Sequence, residues 1–189
     1  MKLLLASKSP RRRELIVQLG FPVETVNIEV TENIPNGLPA HETAEYLSRL
    51  KAEAYPADKL HEDEVLVTAD TIVALHGKVL GKPHSREEAI AMLEHLSGDS
   101  HIVYSGVCLT TKHKKVSFTE STTVHFLPLD RSTIEHYVSQ YKPFDKAGAY
   151  GIQEWIGMVG VKGIEGCFYN VMGLPLARLY SELLKLGQA

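Results

Sequence analysis

The sequence predicts a mixed α/β fold in which a central sheet is flanked by helices. Short apolar runs with strand character alternate along the chain with segments whose apolar residues recur at helical spacing. The 189 residues are 44% apolar and 23% charged, close to the average of globular proteins, and a chain of this length can bury enough apolar surface to form a core. Neither an internal repeat nor a linker marks a boundary, so we expect residues 1–189 to form one domain.

The amino-terminal elements are predicted to be a strand, a helix and an extended segment. The apolar run Lys2–Ala6 is typical of a short buried strand. Ser9 is a suitable N-cap and Pro10 suits the first helical position, so a helix is expected to begin there and to end at Gly20. Phe21–Val30 is expected to be extended.

The middle of the chain is predicted to form a helix, a hairpin and a second helix. Ala40–Ala54 has its apolar residues on one side, as a helix requires. Glu64–Leu75 is the most strand-like segment, and a tight turn after it is expected to return Val79-Leu80 antiparallel to it. Ser85 begins a capping box, which opens a helix that ends at Ser97-Gly98.

The remaining part of the chain predicts two long strands and two helices. His101–Thr111 and Val116–Leu127 are strand candidates joined by a polar turn. Asp130 is expected to cap a helix. The glycine-rich stretch Phe144–Gly166 gives no clear periodicity, and a final helix is expected to run to Leu186.

Charge and composition disfavour several classes of protein. The chain has 20 Lys and Arg against 23 Asp and Glu, a net charge of −3, which disfavours a dedicated nucleic-acid binder. Cys108 and Cys167 lack a metal-binding spacing and are expected to be buried thiols. The first apolar run is shorter than a signal peptide needs, and no stretch is long enough to span a membrane. We therefore expect a cytoplasmic protein with neither a membrane nor a nucleic-acid partner.

The segment Ser7–Arg13 is the first candidate for a binding site. It joins a predicted strand to the amino terminus of a helix, where free N–H groups and the helix dipole are already positive. Lys8 and the arginines, among them Arg11 and Arg12, add further positive charge, which a phosphate group would balance. A solvated basic turn is the alternative interpretation.

Three further charged residues stand in unusual places. Asp70 lies within an apolar strand, where a carboxylate is costly unless it is paired or bound to a metal. It is either a metal ligand or general base, or an acid bonded to backbone amides. Lys51 falls on the apolar side of its helix, and Lys82 follows a glycine in a short turn. The Lys51 side chain either extends along the apolar surface to solvent or points into a polar cleft, and for Lys82 the alternative is an ordinary exposed lysine.

The segment Asp145–Gln153 is rich in small residues, which let a backbone approach a ligand closely. Gln153 at its end offers both a donor and an acceptor, a pair suited to reading the edge of a base. A glycine-rich loop selected for its turns is the alternative. Glu32 lies in a polar segment and by itself indicates only a surface acid.

Seven short motifs, taken in order from residue 3 to about 180, resemble the Maf family. The motifs are Ala6-Ser7-x-Ser9-Pro10-Arg11-Arg12, Arg49-x-Lys51-Ala52, Ala69-Asp70-Thr71-Ile72-Val73, Leu80-Gly81-Lys82-Pro83, the run from Met92 to Val103, Asp145–Gln153, and Asn170-Val171-x-Gly173-Leu174-Pro175. Their shared order is far more specific than any single motif.

The resemblance implies a nucleoside triphosphate pyrophosphatase, which cuts between the α and β phosphates with the help of Mg²⁺ or Mn²⁺. It also implies a mixed α/β fold related to inosine triphosphatase-type folds, with two lobes around a deep cleft and often a homodimer. The Gly-Ile-Gln form of the loop, with Thr71 after the acid, resembles the subgroup acting on dTTP and UTP and linked to modified pyrimidine nucleotides.

The resemblance also assigns roles to residues. Asp70 occupies the position of the proton acceptor, and with Glu32 it is expected to hold the metal. Substrate choice is tied to the positions of Arg11, Thr71 and Gln153. The phosphates are expected to meet the side chains of Ser7, Arg12, Lys51 and Lys82.

Two residues depart from the pattern. Ser105 stands where many members have threonine, and Leu50 stands where an acid is common; we expect both to lie away from the chemistry. A different class of function is also open: a regulator of cell division that binds nucleotide without turning it over. Release of pyrophosphate from dTTP distinguishes the two.

Overall fold

The structure, a computed structural model, describes residues 1–187 and contains a seven-stranded mixed sheet. The strands are β1 (Lys2–Ala6), β2 (Val23–Thr25), β3 (Glu64–Leu75), β4 (Lys78–Leu80), β5 (Ser100–Thr110), β6 (Lys115–Phe126) and β7 (Val161–Glu165). Their order is β2-β1-β3-β5-β6-β7, and β4 pairs with the end of β3. β1 runs parallel to β2 and β3, whereas the other pairs are antiparallel.

Helices cover both faces of the sheet, which confirms the predicted fold class. They are α1 (Pro10–Val17), α2 (Ala40–Glu53), α3 (Arg86–Leu96), α4 (Arg131–Tyr141), α5 (Trp155–Gly160), α6 (Phe168–Met172) and α7 (Leu176–Gly187), with short 3-10 turns at Ala57–Lys59 and Ala147–Ala149. Three of them begin as the sequence predicts, because the side chains of Ser9, Ser85 and Asp130 accept hydrogen bonds from backbone N–H groups of the first turn.

Successive side chains of β3 point to opposite faces of the sheet. Val65 and Val67 pack in a core with α1 and α7. On the other face, Thr68 donates a hydrogen bond to α2, and Ile72 packs against the same helix. A second large core is formed by α3, α4 and parts of β5 and β6, and it includes Val73 and Leu75 of β3.

The differences from the predicted elements concern short or glycine-rich segments. Of the predicted extended run, the structure describes Val23–Thr25 as a strand, and it pairs with β1. The unassigned stretch 144–166 contains α5 and β7, and helix α6 was not predicted. Cys108 is buried as expected, whereas Cys167 is only partly buried; both are free thiols. In the part of the chain that the structure describes, no helix is both long and apolar enough to cross a bilayer.

Candidate active site

The candidate site lies at a gap in the sheet beside β3. β1 ends where Ala6 pairs with Thr68, and β4 pairs with β3 only from Val73 onward. Between these two points, the edge of β3 that carries Asp70 and Thr71 faces no strand among residues 1–187. The segment after β1 and the turn after β4 both lie beside this gap. They line a cavity of about 810 Å³.

The cavity brings together the residues to which the resemblance assigns a role in the site. Its lining includes all nine candidates: Ser7, Arg11, Arg12, Glu32, Lys51, Asp70, Thr71, Lys82 and Gln153. These residues come from distant parts of the chain, so their convergence is a product of the fold. The deep cleft between two lobes that the resemblance implies stays a prediction.

Asp70 meets Lys51 on the α2 side of the sheet. The ammonium Nζ of Lys51 lies 2.6 Å from Oδ1 of Asp70 and 3.0 Å from Oε1 of Glu32. Lys51 and Asp70 are mostly buried, with 18% and 17% of their side chains exposed, whereas Glu32 is 48% exposed. Lys51 therefore points into the cavity and does not extend to solvent, and the acid of the apolar strand is a paired one.

A glycine allows α2 to come close enough for this contact. Gly106 of β5 lies opposite Asp70 in the register of the sheet. A Cβ added to Gly106 would lie 2.2 Å from the backbone carbonyl carbon and oxygen of Ala44 in α2, closer than real Cβ contacts. The absence of a side chain at this position lets α2 rest directly on the sheet, and Lys51 lies about two turns further along the same helix.

On the opposite side of the strand, hydrogen bonds from the side chain of Arg12 connect α1 to the site. Its Nε donates to the carbonyl oxygen of Gly173 at 2.8 Å, Nη1 to that of Ala69 at 2.9 Å, and Nη2 to Oγ1 of Thr71 at 2.9 Å. Burial lowers the pKa of this guanidinium, an effect that the negative charge of Asp70 opposes. Arg12 thus stabilises the part of β3 whose one edge lies at the gap, a role beyond the phosphate contact that the resemblance implies.

Ser105 does not line the cavity, but it contacts Thr71, which does. Its Oγ is 2.9 Å from Oγ1 of Thr71 and donates at 3.1 Å to the backbone carbonyl of Asn170. Asn170 in turn donates from its side chain to the carbonyl of Val103 and to Thr122. The buried network fixes the rotamer of Thr71, and because Ser and Thr both carry a hydroxyl, the departure from the family pattern keeps this contact. Leu50 packs beside the α2 core cluster and does not line the cavity.

The loop that carries Gln153 is held by charged groups. Arg11 pairs with Asp145 at 2.8 Å, and the ammonium of Lys146 pairs with Asp145 at 2.8 Å and with Glu154 at 3.0 Å. Burial raises the pKa of Asp145, but the hydrogen bonds from Lys146 and Arg11 outweigh it and hold that pKa below its usual value.

A second anchor holds the end of the same loop. Glu154 accepts a short hydrogen bond from the hydroxyl of Tyr137, which also accepts from the N–H of Gly151. Burial is the main cause that raises the pKa of Tyr137, so its hydroxyl stays a donor. Lys146 lies in the segment Asp145–Gln153 that the sequence analysis singled out, whereas Glu154 and Tyr137 were not expected at the site. Tyr137 is an uncharged residue of α4, and its contact with Glu154 forms only in the folded chain.

Two of the candidates keep polar groups available to a ligand. Oε1 of Gln153 is buried and makes no hydrogen bond within residues 1–187. Lys82 is exposed at the rim of the cavity. Ser7 accepts a hydrogen bond from the N–H of Ser9 at 3.2 Å, which orders the turn before α1.

Oxygen donors for a divalent cation are present as a pair. Within residues 1–187, no group of three or more His, Cys, Asp or Glu side chains forms a ready metal site. Glu32 and Asp70 nevertheless converge on one ammonium, so their oxygens lie close to each other beside the cavity. Mg²⁺ is commonly bound by one or two carboxylates together with substrate phosphates, and this pair fits that requirement.

Comparison with known proteins assigns the chain to a family. A family model described as "Maf-like protein" matches residues 2–186. The chain belongs to the Maf family. The match extends over the whole cavity and over every motif on which the resemblance was based.

Curated relatives match over nearly their full length. A protein of Bacteroides thetaiotaomicron named dTTP/UTP pyrophosphatase is 54% identical over 98% of this chain and 96% of its own length. Proteins with the same name from Phocaeicola vulgatus and Porphyromonas gingivalis are 50% and 45% identical, over 98% and 100% of this chain and 96% of each relative.

Solved structures are more distant. The Ham1 protein of Staphylococcus aureus is 16% identical over 67% of this chain and 72% of that chain, with a TM-score of 0.46. A HAM1 protein from Coxiella burnetii is 14% identical over 67% and 73%, with a TM-score of 0.42. At these TM-scores the likeness supports no further conclusion about this member of the Maf family.

Proposed function

We propose that this Maf protein hydrolyses dTTP and UTP, giving the nucleoside monophosphate and pyrophosphate. The observation that carries the proposal is the convergence of Asp70 with Lys51, Arg11 and Lys82 in one cavity. Relatives that are about half identical over almost the whole chain are named dTTP/UTP pyrophosphatases, which supports the same assignment. A regulator that binds nucleotide without turnover is not favoured by these relatives.

The cations of the cavity match the charge of a triphosphate. A triphosphate brings about four negative charges, and Arg11, Lys51, Lys82 and the amino terminus of α1 offer positive charge along its length. Arg12 can add the N–H groups that its contacts with the backbone and Thr71 leave over. These groups would also stabilise the pyrophosphate as it leaves.

Asp70 is the proposed acceptor of the proton from the attacking water. Its carboxylate lies at the gap in the sheet, where it can reach a phosphate bound by the segment after β1. Water would attack the α-phosphorus in line with the leaving pyrophosphate. Glu32 and Asp70 would hold Mg²⁺ or Mn²⁺, which supplies neutralisation of the phosphate charge when it is bound.

Gln153 is the proposed reader of the base. Its unpaired Oε1 accepts a hydrogen bond and its amide nitrogen donates one, so it can contact the edge that thymine and uracil share. Modified pyrimidine nucleotides with the same edge are included in the proposed substrate class. The cytoplasmic location, the homodimer and the division into one domain with two lobes stay predictions.

The test is a substrate panel with product identification. Purified protein is incubated with Mg²⁺ and dTTP, UTP, CTP, GTP or a 5-modified pyrimidine triphosphate, and the products are separated by chromatography. We expect dTMP and UMP with one pyrophosphate for each turnover, and little product from GTP. Release of dTDP and phosphate, or binding of dTTP without any product, would contradict the proposal.

A further inference from the structure

The ammonium of Lys51 lies between the two carboxylates expected to bind the metal. It is 2.6 Å from Asp70 and 3.0 Å from Glu32, and it is the group that these two side chains share. Glu32 belongs to the irregular segment between β2 and α2, whereas Asp70 belongs to β3. Without a cation between them, two carboxylates brought this close would repel each other.

An ammonium and a divalent cation compete for such a position. Both are stabilised by carboxylate oxygens, but Mg²⁺ needs them at about 2.1 Å, which leaves no room for an ammonium between the same atoms. We infer that the ammonium of Lys51 holds Glu32 and Asp70 together in the free protein. When substrate binds, the divalent cation replaces the ammonium at these two carboxylates, and the ammonium contacts the triphosphate instead. This inference rests on the proposed function.

The side chains at the cavity differ in their freedom to make this exchange. A lysine is a point charge on a flexible four-carbon stem with freely rotating donors. Lys51 faces the same cavity as the proposed phosphate contacts, so a rotation of its stem would carry the ammonium from one set of oxygens to the other. Arg12 has no such freedom, because each of its three side-chain nitrogens is bonded within the fold.

The exchange predicts an effect opposite to that of an ordinary binding residue. Removal of Lys51 should weaken the binding of the triphosphate. It should nevertheless strengthen the binding of metal to the nucleotide-free protein, since the competing ammonium is gone. It should also reduce the cooperativity between metal and triphosphate. In the parent, the triphosphate gives Lys51 a second partner and so favours metal entry.

The experiment measures Mn²⁺ binding by calorimetry without nucleotide, in the parent and in Lys51→Met and Lys51→Gln. Lys82→Met is the matched control, since it removes a cation from the same cavity that pairs with neither Glu32 nor Asp70 in the described chain. We expect the Lys51 variants to bind Mn²⁺ roughly tenfold more tightly or better, a change equivalent to about 1.4 kcal/mol, and the control to change much less. Circular dichroism identifies a variant that fails to fold, and the other Lys51 variant then decides.

A second titration, with an α,β-non-hydrolysable dTTP analogue present, measures the cooperativity. It should be smaller in the Lys51 variants than in the parent. Equal or weaker Mn²⁺ binding by both Lys51 variants, or an equal gain in Lys82→Met, would overturn the inference. A parent protein that releases no pyrophosphate from dTTP contradicts the proposed function instead, and leaves the comparison of Mn²⁺ affinities interpretable.

Discussion

Gly106→Ala tests whether the close approach of α2 to the sheet positions the site. The added methyl group would lie 2.2 Å from backbone atoms of Ala44, and backbone cannot rotate away as a side chain can. The helix must therefore shift, and overpacking of this kind typically costs about 1–3 kcal/mol of unfolding free energy. For a protein of this size, each kcal/mol lowers the melting temperature by roughly 2–4 °C. The shift also moves Lys51 away from Asp70. The kcat/KM for dTTP should therefore fall even at a temperature where the variant is fully folded.

Gly163→Ala is the matched control, because Gly163 also lies in a strand but no atom of residues 1–187 lies within 4 Å of the position that an added Cβ would occupy. Its stability should stay within about 1 kcal/mol of the parent. Urea unfolding and steady-state pyrophosphate release, both at a temperature where each variant is folded, make the comparison. If Gly106→Ala matches Gly163→Ala in both stability and activity, the reasoning about the approach of α2 is refuted.

Two further predictions concern the base and the pH dependence of stability. Gln153→Ala should relax the choice among dTTP, UTP, CTP and GTP more than it slows the best substrate; unchanged ratios of kcat/KM would count against its role. Burial lowers the pKa of His101 from 6.5 to about 4, so between these pH values the unfolded chain binds a proton that the folded protein does not. The free energy of unfolding should therefore fall by up to about 1.4 kcal/mol for each pH unit as the pH drops through this window, and His101→Gln should lose this dependence in urea titrations at pH 7, 6 and 5.

Much of the fold was predictable because the strands of the central sheet are apolar runs with clear ends. Glu64–Leu75 has the predicted bounds, and the caps at Ser9 and Ser85 are local features that act within one helical turn. Segments with few local signals were not predictable. Helix α6 and strand β7 form where glycines loosen the pattern, and their positions depend on packing against β5 and β6.

The residues that converge on the cavity were predictable as a set, but the contacts among them were not. Motifs carried by strand ends and turns indicated which side chains converge. The pairing of Lys51 with Asp70 and the contact between Ser105 and Thr71 span 19 and 34 positions of the chain, so only the folded arrangement reveals them. The same holds for Arg12, whose sequence position indicated a phosphate contact and not a bond to the carbonyl of Gly173.

The most direct measurement of the proposed chemistry compares Asp70→Asn with the parent in pyrophosphate release from dTTP and Mg²⁺. Loss of a general base or metal ligand typically lowers the rate by about 10²–10⁴, and the amide is nearly the same size as the acid, so we expect turnover to fall by that factor while the unfolding midpoint stays close to the parental value. Hydrolysis of dTTP by Asp70→Asn at the parental rate would contradict the assignment of the reaction to this carboxylate.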